Sequence, residues 1–503
     1  MNSFRPHVKA PSVIGFFIPV VTGILIAQAL ATVFVYHSNL GLQAAVAAIG
    51  KSGYFPVPNG TVASTLDRTG PAIWGGLFFT LSIGTGLTLA TWAGVLVWDR
   101  ALKRDKKVLA VMLLGWAGLI LAVNLNGAVL YPSLFCALVP LATAGASVAI
   151  RRAGRQEKSR LEMMPVIALV LLTALWATQL NQQLFVSIRD HVLLSNAMGR
   201  TVNDFYYKYT LYAAQAFKSF GQKTLRTARI EGIDNAVRLN RMERQLARND
   251  VIPVAGIAAP DITMIFSGNN LRFEHRGKTI IHTTADQFLE LPKDVLQSFS
   301  RATDRFGPFR KLTLIGLLAG FPVLLFMVVY GITLAGLTLL MGRKRAIAGA
   351  SGLCMAIGIL LFLPMLKARP LPSAVENLGE QLSAPQWPQR VAALRYIDSR
   401  KIDIARYPQY LKLLQSPLVV ERYWLARALG GSRSSAAYEQ LLKLMKDPHP
   451  NVVCQAYYAL GQSGRRAAVA PIQEQMAHSS HWYAQWYGYR ALRKLGWHQD
   501  RST

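Results

Sequence analysis

The stretch Asp447-Pro448-His449-Pro450-Asn451-Val452-Val453-Cys454-Gln455-Ala456-Tyr457-Tyr458-Ala459-Leu460-Gly461 fixes the reading of the C-terminal region. Asp-Pro is a turn signal, and the residues after it form a helical run that ends at a glycine. Ala456 and Leu460 are four apart and so share a helix face. The same pairing recurs as Ala393 with Ile397, Leu425 with Leu429, and Gly488 with Leu492, and the second members follow one another at intervals of 32, 31 and 32 residues. Such a period marks a helical repeat array.

Each period divides into two helices, predicted over 420–429 and 436–445, then 452–460 and 467–476, with 482–495 as the last. Turn signals at Ser416-Pro417, Gly430-Gly431, Asp447-Pro448 and 461–464 separate them. One helix pair cannot bury its apolar face alone, whereas stacked pairs build a continuous core. The small residues Ala393, Ala456 and Gly488 allow close approach, and the leucines fill between layers. Residues 447–461, with their echo at Leu425-Ala426-Arg427-Ala428-Leu429-Gly430, resemble the HEAT-like repeat of the phycobilisome-lyase type. The resemblance covers 389–503 and implies an α-solenoid that presents surfaces to other proteins. Two positions depart from the pattern: Cys454 stands where an arginine is common, and Ile397-Asp398 replaces Leu-Gly. No family is recognised in residues 1–366.

Outside the repeats the chain reads as a membrane protein, because 52% of its 503 residues are hydrophobic and only 16% are charged. A net charge of +29 would suggest nucleic acid in a soluble protein. Here much of it sits in short clusters beside apolar runs, where Lys and Arg set topology, so no nucleic-acid partner is expected. Cys136, Cys354 and Cys454 are far apart, which indicates neither a disulfide framework nor a thiolate metal site.

The first apolar run, 13–36, follows Arg5 and Lys9 and is read as an uncleaved anchor. The second, 71–98, carries Gly84, Gly86 and Gly94 for close helix packing. The loop at 99–107, with Arg100, Lys103, Arg104, Lys106 and Lys107, marks the cytoplasmic side. A hairpin of crossings is predicted over 108–123 and 127–150, turning at Asn124-Leu125-Asn126-Gly127 and followed by a second basic loop at Arg151, Arg152, Arg155, Lys158 and Arg160. Residues 163–185 form a fifth crossing. The run 312–341 is either one long crossing or, broken at Gly320, Pro322 and Gly331, a hairpin. Arg343-Lys344-Arg345 and the last crossing, 346–366, follow. The basic flank Arg301, Arg305, Arg310 and Lys311 competes with that triplet, so the positive-inside rule leaves both options open. The expected count is seven.

Between the fifth crossing and that long run lies an extramembrane α+β domain, 186–310. Residues 204–220 mix aromatics and lysines as an interfacial or core helix would, and 228–248 read as a basic amphipathic helix. Residues 262–266, 271–275 and 279–283 alternate as three strands joined by two hairpin turns. The expected fold is therefore a mostly α, polytopic membrane protein with a small α+β extramembrane domain and a C-terminal α-solenoid. Its segments are 1–185 (crossings one to five), 186–310, 311–367 (the last two crossings), a linker at 368–388 and the repeats at 389–503.

No constellation for catalysis appears. The seven crossings hold no interior Asp, Glu, Lys, Arg or His, which argues against ion-coupled transport. His275 and His282 match no metal spacing, there is no Walker loop, and no cofactor is expected. Candidate protein-binding residues are Arg422, Arg427, Arg465, Arg466, Trp482, Trp486 and Arg490, since arginine and aromatic side chains anchor interfaces. The sequence thus points to an integral membrane scaffold, with the lipid bilayer and other proteins of an envelope complex as its partners. A bacterial inner membrane is expected, with the N-terminus cytoplasmic and both large domains periplasmic. The alternative is a membrane enzyme or a lipid or solute transporter using His37, Asn124, Asn126 and 179–183. A prosthetic-group lyase, suggested only by the family name, would require bound pigment.

Overall fold

Apolar side chains without charge leave a helix as the only open structure that satisfies its backbone in lipid. The computed structural model, which describes residues 13–152, 163–178, 183–367 and 377–501, contains six helices long and apolar enough to cross a membrane. They are Phe17–Lys51, Thr69–Arg100, Lys106–Val123, Leu130–Ile150, Gly307–Met341 and Arg343–Leu363, and a shorter apolar helix spans Met164–Ala177. Arg5, Lys9, Arg155, Lys158, Arg160, Gln179, Asn181, Gln182 and the linker prolines Pro370 and Pro372 lie outside the described residues. The chain divides into two units, each assembled from three separate segments: 1–35, 72–181 and 305–363 in one, and 36–71, 182–304 and 364–503 in the other.

In the first unit helices meet through glycine. A Cβ on Gly316 would lie 2.5 Å from the Ser82 carbonyl oxygen, one on Gly320 would lie 2.9 Å from the Gly86 nitrogen, and one on Gly84 would lie 2.6 Å from the Ala27 Cβ. Gly94 faces only the flexible end of Met112. Each of the two helices in contact carries one π-turn, Thr80–Gly84 and Gly316–Gly320. The run from Gly307 to Met341 is nonetheless one continuous helix, so the hairpin option is absent. Buried hydroxyls bond back to their own helix, Ser82 to the Phe78 carbonyl at 2.6 Å and Thr143 to that of Val139 at 2.8 Å. Thr80 also donates to Gln28 Oε1 at 2.8 Å.

The helix that begins at Val13 does not end near Tyr36 as expected; it runs on to Lys51. Residues 37–51 contain no proline and are rich in alanine, so nothing stops the helix where the strongly apolar run gives out. Its continuation belongs to the second unit, where Ile49 is buried.

One apolar core of that unit lies within residues 220–299 and includes Met242, Phe273 and Phe299, and another is drawn from all three of its segments. Ile49, Tyr54 and Val57 join Leu194, Leu225, Ile252 and Val254, and these join Ile397, Leu425, Leu429, Leu460 and Leu492 of the repeats. A five-stranded mixed sheet runs in the order β2-β1-β3-β4-β5, with β1 Arg226–Glu231, β2 Val251–Pro253, β3 Ile262–Ser267, β4 Asn270–His275 and β5 Lys278–Thr284. The three expected strands are β3 to β5, paired antiparallel. Their turns use positive φ at Gly268, Arg276 and Gly277. The amphipathic helix predicted over 228–248 starts only at Ala236, because Arg226–Glu231 is a strand parallel to both neighbours. A central parallel strand is covered on both faces and lacks the polar and apolar alternation that reveals an edge. His275 lies opposite Lys278, and His282 opposite Arg272. Residues 272 and 275 of one strand point to opposite faces, so the two histidines do not converge.

Candidate functional site

The repeats form two layers. Helices Trp387–Arg400, Val419–Leu429, Pro450–Ser463 and Trp482–Lys494 make one; Ser435–Leu444, Val469–His478 and the 3₁₀ segment Pro408–Gln415 make the other. Ala393, Ile397, Leu425, Leu429, Ala456, Leu460 and Leu492 are all buried between them. A Cβ on Gly430 would lie 2.9 Å from the Ala459 Cβ, and one on Gly461 would lie 3.0 Å from the Ala491 Cα, so small residues set the spacing of neighbouring repeats.

Ion pairs then lock successive repeats. Arg390 meets Glu421 at 2.5 Å, Arg422 meets Asp447 at 2.7 Å, and Arg427 meets Asp398 at 2.8 Å. Asp398 also accepts from Lys401 at 2.9 Å, which gives the departure from the repeat pattern at this position a structural use. Cys454, the other departure, is fully buried, and burial pushes its thiol up, away from nucleophilic chemistry.

The first layer is covered by the chain itself. Residues 189–212 run along it and meet each helix in turn. His191 packs against Trp387, with ring centroids 5.3 Å apart. Arg189 donates to the Tyr423 hydroxyl at 2.6 Å, and its guanidinium lies 4.0 Å from the centre of that ring. The Trp424 indole N–H donates to Asp190 at 2.8 Å, and Arg189 pairs with the same carboxylate at 2.7 Å. Asn203 donates to Asn451 at 2.7 Å, Tyr207 lies tilted against Tyr483 at 4.7 Å, and Tyr212 meets Trp482 edge to face at 4.9 Å. Tyr207 and Tyr212 of helix Ala197–Phe217 thus pack against protein, while Tyr206 is exposed. At the far end Tyr489 donates to Asp250 at 2.5 Å, and Arg493 pairs with the same aspartate at 3.0 Å.

Of the residues expected to bind protein, Arg422 and Arg427 are half-buried in the ion-pair ladder and Trp482 is buried against Tyr212. Arg465 lies over Tyr438, and Arg490 over Trp486 at 4.7 Å. Arg466 and Arg490 are exposed. No single patch unites the seven. Sequence reasoning missed Arg189, Asp190 and Arg395, which with Arg427 surround Trp424; the guanidinium carbons of the three arginines each lie 5.2 Å from the indole. The available signal was an aspartate enclosed by apolar residues in Val186-Ser187-Ile188-Arg189-Asp190-His191-Val192-Leu193-Leu194.

A family model of HEAT repeats matches residues 407–493. This segment is a HEAT-repeat array. The helix Trp387–Arg400 lies before the matched residues yet stacks on the array through the same kind of ion pair. No curated protein and no solved structure matches the chain. Among the described residues no group of three or more His, Cys, Asp or Glu side chains is placed to hold a metal. In the polar cluster of the alternative reading, Asn124 spends its side chain on its own turn, donating to Ser133 Oγ at 2.8 Å and accepting from the Val129 N–H at 2.8 Å.

Proposed function

We propose that this protein is an integral membrane platform whose HEAT repeats hold a partner protein outside the cytoplasm, with no catalytic step of its own. The observation that carries the reading is the apolar core to which residues 36–71, 182–304 and 364–503 all contribute, which makes the repeats one wall of a membrane-anchored body. Helical repeat arrays present extended surfaces to other proteins. The first layer is already covered by residues 189–212, so the partner meets the second. That layer and its turns expose Lys412, Arg433, Lys443, Lys446 and Arg466 against Glu439 and Glu474, which suits an acidic partner surface.

The order of helices supports seven crossings. Between Pro71 and Gln182 the chain makes four apolar helices, and between Asp304 and Pro364 it makes two. Even numbers return the chain to the side it left. The count requires Met164–Ala177 to cross, although its 14 residues span only about 21 Å and the bilayer must thin around it. On this path the basic loops at 100–107, 151–160 and 343–345 all share the side opposite the second unit, as the positive-inside rule favours for a bacterial inner membrane with a periplasmic body.

Paired alkaline phosphatase and fluorescent-protein fusions after Arg345 and after Thr503 test the topology. Phosphatase activity at Thr503 alone is expected, and a fluorescent, phosphatase-silent C-terminus overturns it. Crosslinking in membranes followed by mild solubilisation is expected to recover a stoichiometric partner. The variant Lys443→Glu/Lys446→Glu/Arg466→Glu is expected to lose it at least tenfold. Failure to recover a partner, or equal recovery by the variant, sinks the platform reading.

A further inference from the structure

The second unit contains a cavity of about 480 Å³ whose lining is strongly cationic. Helix Pro292–Thr303 supplies one wall with Lys293, Gln297 and Arg301, each four residues from the next and so stacked on one face. Ser300, on the same helix, accepts the Gly221 N–H at 2.8 Å and leaves its own hydroxyl proton free to be donated. The opposite wall is Ser219, Gly221, Asn249 and Arg226. Among the described residues neither Lys293 nor Arg301 has an ion-pair partner.

Arg226 is the unusual member. Its guanidinium makes only two long bonds, to the Asn249 and Lys223 carbonyls at 3.4 Å each, and its Nε is buried with no partner. The nearest acids are engaged elsewhere, Asp250 by Arg493 at 3.0 Å and Asp261 by Lys223 at 2.5 Å. The Arg226 guanidinium also lies 5.4 Å from the centre of the Phe220 ring, and Asp250 and Asp261 attract it without a hydrogen bond; a desolvated guanidinium held this loosely is stabilised further by an anion. On the neighbouring residue Lys218, burial, with help from Lys223, pushes the ammonium down to about 8.

We propose that this cavity binds the phosphoryl group of an anionic ligand, with Arg226, Lys293 and Arg301 as the charged contacts and Ser300 as a neutral donor. Three cations against the single carboxylate of Asp304, with Leu296 the one large apolar residue in the lining, select a compact oxyanion over an apolar molecule. Helix Pro292–Thr303 ends four positions before the apolar helix that begins at Gly307, so in sequence the site leads directly into a membrane span. The phosphoryl group belongs either to a soluble phosphate ester or to the headgroup of an anionic lipid.

The test uses the full chain, in detergent micelles with glycerol 3-phosphate and in nanodiscs of phosphatidylcholine with or without phosphatidylglycerol. Calorimetry for the ester and native mass spectrometry for the lipid read the binding. Lys293 and Arg301 are exposed, so the variant Lys293→Gln/Arg301→Gln keeps the fold, and it is expected to weaken binding at least tenfold. Saturable binding of the ester in micelles identifies a soluble ligand, and retention of phosphatidylglycerol alone identifies a headgroup; either supports the site. No binding in both arms overturns it. So does an equal loss in the control Arg276→Gln/Lys278→Gln, whose cations sit at the tip of the β4–β5 hairpin, since general surface charge would then explain the effect.

Discussion

Helices Thr69–Arg100 and Gly307–Met341 meet backbone to backbone, at glycines where a single methyl group would collide with a carbonyl oxygen 2.5 Å away. Val419–Leu429 and Pro450–Ser463 also approach through small residues, but charged pairs clamp the repeats, with Arg422 on Asp447 before the second helix and Arg427 on Asp398 of helix Trp387–Arg400. The difference follows from the solvent. In lipid, apolar burial between helices gains nothing over contact with acyl chains, so close van der Waals approach must supply the association. In water the leucines between repeats supply it, and ion pairs half-shielded from solvent fix the register.

The largest expected effect comes from separating the two modes. A chain ending at Pro372 keeps every apolar helix but loses the repeat part of the second unit's core, leaving Leu194, Leu225, Ile252 and Val254 uncovered. Limited proteolysis is expected to cleave residues 182–304 within minutes while the membrane helices stay protected; a protected 182–304 segment would show that it folds without the repeats.

Next is Gly316→Leu, expected to abolish a monodisperse detergent-solubilised species because the backbone of Ser82 has nowhere to move. Gly115→Ala and Gly118→Ala, where a Cβ meets nothing within 4 Å, are expected to change stability by under about 0.5 kcal/mol. If size-exclusion profiles of all three match the wild type, glycine contact is not what holds these helices.

Asp190→Ala should be smaller but still severe, since it strands Arg189 and the Trp424 indole in a site where the aspartate side chain is 1% exposed. Removing one partner of a buried pair costs about 3–5 kcal/mol. Thermal unfolding followed by tryptophan emission reads it, and a loss below about 1 kcal/mol would mean water replaces the carboxylate.

The smallest effect is on pH. Burial of His481, at the start of the last repeat helix and beside Tyr207, pushes it down to about 4, opposed by the Asp204 carboxylate. Its unfolded value is near 6.5, so below that pH the unfolded chain takes up a proton that the folded chain does not accept until about pH 4. Stability is complete above 6.5 and declines through the window from 6.5 to 4, by at most ~1.4 kcal/mol per pH unit. His481→Gln should flatten the profile of melting temperature against pH in that window; an unchanged slope assigns it to other groups.

Much of this architecture is legible in the sequence because it is periodic. The intervals between Ile397, Leu429, Leu460 and Leu492 disclose the array, and Gly268 and Arg276-Gly277 disclose the hairpins. What stays hidden is set by contacts across long separations. Strand β1 lacks alternation because both its neighbours are parallel strands. Helix Val13–Lys51 outruns its apolar stretch because the continuation is held by residues far along the chain. The candidate interface is the least legible part. Whether Arg422 and Trp482 are surface anchors or internal ties depends on what covers the first layer, and the cover, residues 189–212, lies more than 200 positions away from it.

The interleaving of three segments in one core also dictates when that core can form. Tyr54 and Val57 leave the ribosome early, but the leucines they pack against come last, after every apolar helix has been threaded. Until synthesis ends, Ile49, Leu194 and Leu225 lack the repeat leucines they pack against, while the core within residues 220–299 needs none of them, so the growing chain passes through a window in which holdase chaperones or proteases compete for it. Slower release of the final repeats lengthens that window, and the yield of mature protein therefore depends on translation near the C-terminus as much as on membrane insertion.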